Sequence, residues 1–290
     1  MPPLMTENRT AAIGALLTAL GPLSMSIFTP IMPQLASAFD VSKAVVSIGL
    51  SAYFAGFAFS QLIAGALSDA WGRRRTSAVF LSVYLAGGIA ASLAPGIEWL
   101  VSARFVQGVG ASVGIVVARA LVRDQFQGRA AERVMNSVGI AMGVAPAFGP
   151  IIGGMMAEMF GWQAAFLSMI LIGLAALVTV LAMPETATLS TTTGTSGQLI
   201  GNYVRLLFDI RFLLPALASG GVVGTLFAQA SMLPYILIDI VGLSPTQFGA
   251  ATLVISASYF AGALSLRSLS RLVSVQATVR LGLIVSHDVV

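Results

Sequence analysis

The stretch Gly65–Arg75 reads GALSDAWGRRR and joins two long apolar runs, 44–67 and 76–95. A connection this short between two bilayer-crossing helices must lie at a water interface. Arginine at the bilayer centre costs about 2.5–3.5 kcal/mol on insertion scales. Because basic residues accumulate in cytoplasmic loops, the three arginines also mark the cytoplasmic side. The stretch therefore predicts a membrane protein and its orientation together.

Composition supports the same class of protein. The 290 residues are 57% hydrophobic and 9% charged, whereas soluble domains carry about 25% charged residues. Cysteine is absent and His287 is the single histidine, so no metal site, cofactor site or catalytic residue is predicted, and the chain is not expected to be an enzyme. The net charge of +4 is interpreted as topology signals beside membrane helices, with no nucleic-acid partner.

Eight apolar runs are long enough to cross the hydrocarbon, which takes about 20 residues. They cover 11–33, 44–67, 76–95, 99–121, 134–157, 163–183, 211–236 and 247–267, and a ninth begins near 279. The connections starting near 68, 122, 184 and 268 hold the arginines Arg73, Arg74, Arg75, Arg123, Arg129, Arg133, Arg205 and Arg271. The opposite connections hold mainly acids, with Lys43 as their one cation. We therefore expect a multi-pass protein of the cell (inner) membrane with a cytoplasmic N-terminus.

A polar segment divides these spans into two sets. Residues 184–210 are low in apolar content and rich in Ser, Thr and Gly, which predicts a flexible cytoplasmic linker. The predicted fold class is all-α integral membrane. It comprises a six-helix N-terminal lobe (1–183), the linker (184–210) and a partial C-terminal lobe (211–290).

Three ordered motifs carry a family resemblance. They are Gly65–Arg75, then Arg104–Ser112 (RFVQGVGAS), then Gly143–Gly154 (GVAPAFGPIIGG) with Ala147 in place of a glycine. Together they resemble the major facilitator superfamily. The third motif is similar to that of drug/proton antiporters. The Gly161–Trp162 pair, Pro184–Thr186 and Val241–Gly249 resemble the Bcr/CflA (bicyclomycin/chloramphenicol resistance) branch.

That resemblance implies a function. It implies a multidrug efflux transporter that exports small amphipathic drugs in exchange for protons, by alternating access between two lobes. The chain is short for twelve spans, and Ser286–Val290 interrupts the ninth run, so we expect a C-terminally truncated product. The alternative is a non-transporting, truncated or relic membrane protein.

The first motif is expected to form a conformational latch made of Gly65, Asp69, Gly72, Arg73, Arg74 and Arg75. Asp69 stands at a helix end beside the arginines, where it can pair with neighbouring helix ends or cap a helix N-terminus. A fixed turn with inside-positive anchors is the alternative.

Arg104 lies about five residues inside an apolar run. An intramembrane arginine indicates a functional site that faces the bundle interior, and the resemblance ties it to proton coupling, with Gln107 one turn further on. Snorkelling toward the outer headgroups is the alternative.

The third motif makes the fifth span bent and smooth-faced, so it can hinge or seal a cavity. Its residues are Gly143, Pro146, Gly149, Pro150, Gly153 and Gly154. Ordinary glycine-mediated packing is the alternative.

Ser26 stands where relatives of the Bcr/CflA branch carry an aspartate, and none of the first eight spans holds a deep acid. Proton coupling therefore lacks an obvious carrier, and neutral or zwitterionic substrates are favoured over cations. The predicted substrate cavity consists of Ser26, Tyr53, Gln61, Asn136, Gln229 and Tyr235. Packing and lipid contact are the alternative roles for the aromatic residues.

Overall fold

The computed structural model describes residues 3–187 and 208–269. The helices are α1 (Glu7–Phe28), a 3₁₀ turn (Thr29–Ile31), α2 (Met32–Ala38), α3 (Lys43–Trp71), α4 (Arg73–Ser92), α5 (Ile97–Ala111), α6 (Val113–Gln125), α7 (Gly128–Phe160), α8 (Trp162–Leu181), α9 (Ile210–Pro234), a π-helical segment (Tyr235–Ile240) and α10 (Pro245–Leu269). Each of the eight predicted spans is occupied by one or two of these helices. The ninth run and positions 188–207 of the predicted linker lie outside the described residues.

Local sequence explains where several helices begin and bend. Thr6 caps α1 by accepting a hydrogen bond from the Arg9 amide, which satisfies one free amide of the first turn. Pro30 and Pro33 lie in the 3₁₀ turn and at the start of α2, because the first turn of a helix accommodates proline without losing a hydrogen bond. A further proline, Pro234, ends α9 where the π-helical segment begins.

The bundle is built around close pairs of helices. In the first group of helices (α1–α8), α1 packs against α6 and α7, α3 against α5, and α4 against α5 and α8. The second group (α9, the π-helical segment and α10) joins it chiefly through α10, which packs against α7. The largest fully buried side chains include Arg104, Tyr53, Tyr84, Phe28 and Phe166.

Helices α3 and α5 approach at backbone distance. A Cβ atom at Gly56 would lie 2.2 Å from the Phe105 carbonyl oxygen, and one at Gly108 would lie 2.0 Å from the Tyr53 carbonyl oxygen. Only residues without a side chain permit this approach. It sets Tyr53 beside Arg104.

Five helical stretches are long and apolar enough to cross a membrane, judged by length and composition over the described part of the chain. They are Glu7–Ala38, Lys43–Trp71, Ile97–Gln125, Gly128–Phe160 and Trp162–Leu181. The all-helical prediction is confirmed. The predicted continuous span 99–121 is instead two helices that meet at Ser112. The division into a six-helix lobe and a partial second lobe stays a prediction.

Candidate functional site

A nearly buried arginine organises one end of the bundle. The Arg73 side chain is 5% exposed and pairs with Asp69 on α3. Its Nε donates to Asp124 Oδ2 on α6 at 2.9 Å, and its Nη1 donates to Ser68 Oγ at 3.0 Å. Burial alone would lower the pKa of Arg73, but the hydrogen bonds to Asp124 and Asp69 outweigh it and raise that pKa. We call these four residues the Arg73 cluster, which ties together α3, α4 and α6.

A distant carboxylate caps the start of α4. Glu185 accepts hydrogen bonds from the Arg73 amide at 2.7 Å and the Arg74 amide at 3.1 Å, where free amides and the positive end of the helix dipole favour an anion. Gly72 has φ +97°, and a Cβ atom there would lie 2.5 Å from a Glu185 carboxylate oxygen. Glycine is therefore needed for both the turn and the cap. Gly65 is half-buried inside α3.

The structure brings only part of the predicted latch together. Asp69 and Arg73 are paired. Arg74 and Arg75 are exposed, and the ion pairs found at this end among the described residues use Arg73, Arg123 and Arg133 as their cations.

Arg104 faces the bundle interior and is fully buried. Its guanidinium carbon lies 4.5 Å from the centroid of the Phe28 ring and 4.2 Å from that of Tyr53. Its Nη1 donates to Gln107 Oε1 at 2.5 Å, and Gln107 Nε2 lies 3.6 Å from Met169 Sδ. The predicted pair is thus in direct contact, and the side chain does not snorkel to a surface.

The remaining donors of Arg104 have no partner among the described residues. Nε and Nη2 are buried and make no hydrogen bond. The ion pairs within the described ranges do not include Arg104. Two aromatic faces, one amide and the Met169 sulfur, 3.9 Å from Nη1, therefore surround this buried cation.

The third motif lies at the contact between α7 and two other helices. A Cβ atom at Gly149 would lie 2.3 Å from Ser26 Cβ, and one at Gly153 would lie 2.2 Å from a backbone oxygen of α1. A Cβ atom at Gly154 would lie 2.2 Å from the backbone oxygen of Pro245, the first residue of α10. Because these glycines lack side chains, α7 packs closely against α1 of its own group and against α10 of the second group.

Gly143 is exposed, and α7 continues as one helix through Pro146 and Pro150. Both prolines line a pocket of about 180 Å³ where α1, α7, α9 and α10 meet. Its lining residues are Ser26, Thr29, Pro146, Pro150, Gln229, Ala230, Leu233, Phe248, Thr252, Ile255 and Ser256.

The pocket is apolar with a few polar groups. The hydroxyls of Ser26, Thr29, Thr252 and Ser256 donate to backbone carbonyls, so they remain as acceptors, while Gln229 supplies an amide. Mostly apolar walls with a few polar groups suit amphipathic small molecules. The volume is smaller than the roughly 300–1,000 Å³ of drug-sized sites.

Two of the six predicted cavity residues, Ser26 and Gln229, meet in this pocket. Tyr53 is buried against Arg104. Gln61 is half-buried on α3, and Asn136 is on the exposed side of α7. Tyr235 lies elsewhere, at the end of the bundle opposite Arg73.

At that opposite end, polar contacts join the two helical groups. Lys43 Nζ lies 2.6 Å from Asp239 Oδ2 and 5.2 Å from the centroid of the Tyr235 ring. The Tyr235 hydroxyl donates to the Lys43 carbonyl oxygen at 3.1 Å. We call these three residues the Lys43 cluster. Sequence reasoning missed it, although Lys43 stood out as the one cation on its side.

A second contact lies beside it. Glu158, near the end of α7, accepts hydrogen bonds from Ser244 Oγ at 3.0 Å and from the Thr246 amide at 3.2 Å. The carboxylate thereby caps α10, as Glu185 caps α4, but here it does so across the boundary between the groups.

Comparisons with known proteins agree with this architecture. The family model described as Major Facilitator Superfamily matches residues 14–287. The chain is 33% identical over 280 residues to YdgK, an uncharacterized MFS-type transporter of Bacillus subtilis, covering 91% of this chain and 69% of that protein. It is 28% identical over 261 residues to the multidrug transporter MdfA of Yersinia pestis, covering 90% of this chain and 64% of MdfA.

Among solved structures, the fold is similar to a bacterial homologue of the human lysosomal transporter Spinster in an inward-facing, unoccupied conformation. The TM-score is 0.74 at 12% identity, covering 92% of this chain and 64% of the other. The family match over most of the chain and the identity to YdgK show that this chain belongs to the major facilitator superfamily and is a multi-pass integral membrane protein of that transporter family.

Proposed function

We propose that this chain acts in the efflux of small amphipathic drug-like molecules across the cell (inner) membrane, in exchange for protons, by alternating access between the two helical groups. The observation that carries the proposal is the pocket where Ser26 of α1 and Gln229 of α9 meet. Transporters of this kind bind substrate between two lobes, and the pocket has residues of both groups in its wall.

The relatives favour drug-like substrates over other solutes. MdfA is a multidrug transporter by name and aligns with 90% of this chain. A pocket with four hydroxyl groups and one amide can adapt to several amphipathic molecules once the two helical groups separate and enlarge it.

The motifs supply roles for the transport cycle. We propose that the Arg73 cluster favours one facing of the transporter, and that the third motif in α7 seals the cavity against proton leak. We assign Arg104 and Gln107 to proton coupling, supported by their burial and their 2.5 Å hydrogen bond. The Arg73 end is assigned to the cytoplasm.

Drug accumulation in cells tests this function. Cells depleted of their own efflux pumps and expressing the chain are expected to accumulate several-fold less chloramphenicol than cells without it, and a protonophore should restore accumulation. Gln229→Leu should reduce efflux, because it removes the pocket's amide. Gln127→Leu makes the same change at an exposed position and should not.

The non-transporting alternative makes the opposite prediction. If accumulation of every drug tested is the same with and without the expressed protein, at matched membrane levels, the efflux proposal fails.

A further inference from the structure

We propose that Arg104 binds a carboxylate group of the transported molecule, so that the substrates include amphipathic organic anions and zwitterions. The inference deepens the proposed efflux function and rests on it. It concerns substrate class, which neither the family model nor the names of the relatives assign.

The geometry of the free donors carries the argument. The two unpaired donors of Arg104 are Nε and Nη2, which form one edge of the planar guanidinium. Parallel N–H groups on that edge match the two oxygens of a carboxylate in a bidentate pair. The third nitrogen, Nη1, is already used by Gln107.

The surroundings leave this charge without a counter-ion. A buried charge is unfavourable unless it is paired and hydrogen-bonded. The Phe28 and Tyr53 rings stabilise the cation through their faces. They cannot accept the in-plane hydrogen bonds, and the Tyr53 hydroxyl is committed to the Gly21 carbonyl oxygen at 3.1 Å.

Among the described helices, no acidic side chain lies where it could act as the counter-ion of Arg104. Within the described helices the acids lie near helix ends or in connections, such as Asp69, Glu158 and Asp239. The described residues therefore leave the charge of Arg104 without an internal partner, and a bound carboxylate would supply one.

A series of aromatic contacts connects the ring that covers Arg104 with the boundary between the helical groups. The Tyr53 ring covers the guanidinium, and its centroid lies 6.5 Å from that of Phe54. The centroid of Phe54 lies 4.1 Å from that of Phe227 on α9. Separation of the two helical groups breaks the contact between Phe54 and Phe227. Phe54, the neighbour of Tyr53 in the sequence, is then free to move. An anion leaving a cell with a negative interior is also favoured by the membrane potential.

Binding to the purified full chain in detergent tests the proposal. The probes are sodium 1-naphthoate and 1-naphthamide, which share size and aromatic surface but differ in charge. Naphthoate is expected to raise the unfolding temperature in a dose-dependent way, with at least tenfold higher affinity than naphthamide. Sodium chloride at equal concentration should not reproduce the shift.

Variants locate the site. Arg104→Gln should lose at least tenfold in naphthoate affinity, whereas Arg119→Gln, the same charge change at an exposed position of α6, should retain it. Arg104→Lys keeps the charge but not the planar fork and is expected to bind about as weakly as Arg104→Gln. It also serves as the test if Arg104→Gln does not fold.

Equal binding of the two probes, an equal shift with chloride, or unchanged naphthoate affinity in both Arg104 variants overturns the proposal. Its failure differs from failure of the efflux proposal. Chloramphenicol efflux with no Arg104-dependent naphthoate binding removes only this inference. Naphthoate binding without any drug efflux removes the efflux function and leaves Arg104 as a carboxylate-binding site whose ligand is not transported.

Discussion

The two ends of the bundle use similar polar contacts for different purposes. In the Arg73 cluster the side chain of Arg73 is 5% exposed and that of Asp124 is 14% exposed, and both lie in the first helical group. In the Lys43 cluster the paired side chains are 52% and 31% exposed and belong to different groups. Buried pairs are costly to break, whereas exposed pairs contribute little. The comparison teaches that in this conformation the Arg73 cluster joins helices within one group, while the Lys43 cluster joins the two groups to each other.

Arg73→Gln is expected to have the largest effect on stability. It leaves the nearly buried Asp124 carboxylate without its cation, and breaking one side of a buried pair costs roughly 3–5 kcal/mol. Because Asp69 is 55% exposed and recovers water, we expect the lower end, about 3 kcal/mol. Denaturant unfolding in detergent measures it.

Arg74→Gln is the matched control, since that side chain is exposed and only its backbone amide binds Glu185. Equal destabilisation by the two substitutions would show that net charge, rather than the buried cluster, matters at this end.

Gly154→Ala is expected to have the next largest effect, and it acts at the other end. Its Cβ atom would lie 2.2 Å from a backbone oxygen of Pro245, which cannot move without shifting α10. Overpacking of this kind costs about 1–3 kcal/mol, and here we expect it to appear as separation of the groups. Gly139→Ala, on the same helix with nothing within 4 Å, is the control. A similar loss of folded protein in both variants would contradict the close contact between α7 and α10.

Local sequence patterns predicted the helices and several of the contacts. Apolar runs located most of the described helices, although the run 99–121 holds two helices and α2 lies mostly beyond the run 11–33. Arg104 could be paired with Gln107 because residues three apart share a helix face. Ser26 and Gln229, both predicted for the substrate cavity because polar groups in apolar spans tend to face the bundle interior, line the same pocket, and their role in substrate binding stays a prediction.

Contacts between distant positions could not be predicted in the same way. Glu185 reaches the start of α4 across 112 residues, and Tyr235 reaches Lys43 across 192. Neither contact leaves a periodic signal, because each depends on how whole helices pack. Arg74 and Arg75 are indistinguishable from Arg73 by composition. Only the packing of α4 against α3 and α6 shows which of the three is buried.

Lys43→Met is expected to have the smallest effect on stability and a clear effect on how readily reagents reach the pocket. Exposed ion pairs contribute about 0.2–1 kcal/mol and are screened by salt, so unfolding should hardly change. A loss of that size still shifts the balance between joined and separated groups by a few-fold.

The chain has no cysteine, so Ser256→Cys in the pocket gives a single labelling site. We expect a membrane-impermeant maleimide added at the Lys43 side to label it several-fold faster when Lys43→Met is present.

Asp40→Asn provides the control for that experiment, because it removes a charge near the same helix start without touching the Lys43 cluster. High salt should raise the labelling rate of the parent toward that of Lys43→Met and leave Lys43→Met itself unchanged, since screening acts only where the pair exists. Labelling that depends on salt equally in both proteins would mean that Lys43 and Asp239 do not hold the groups together. The contact between the two groups would then depend on Glu158, which accepts hydrogen bonds from Ser244 and Thr246 across the same boundary.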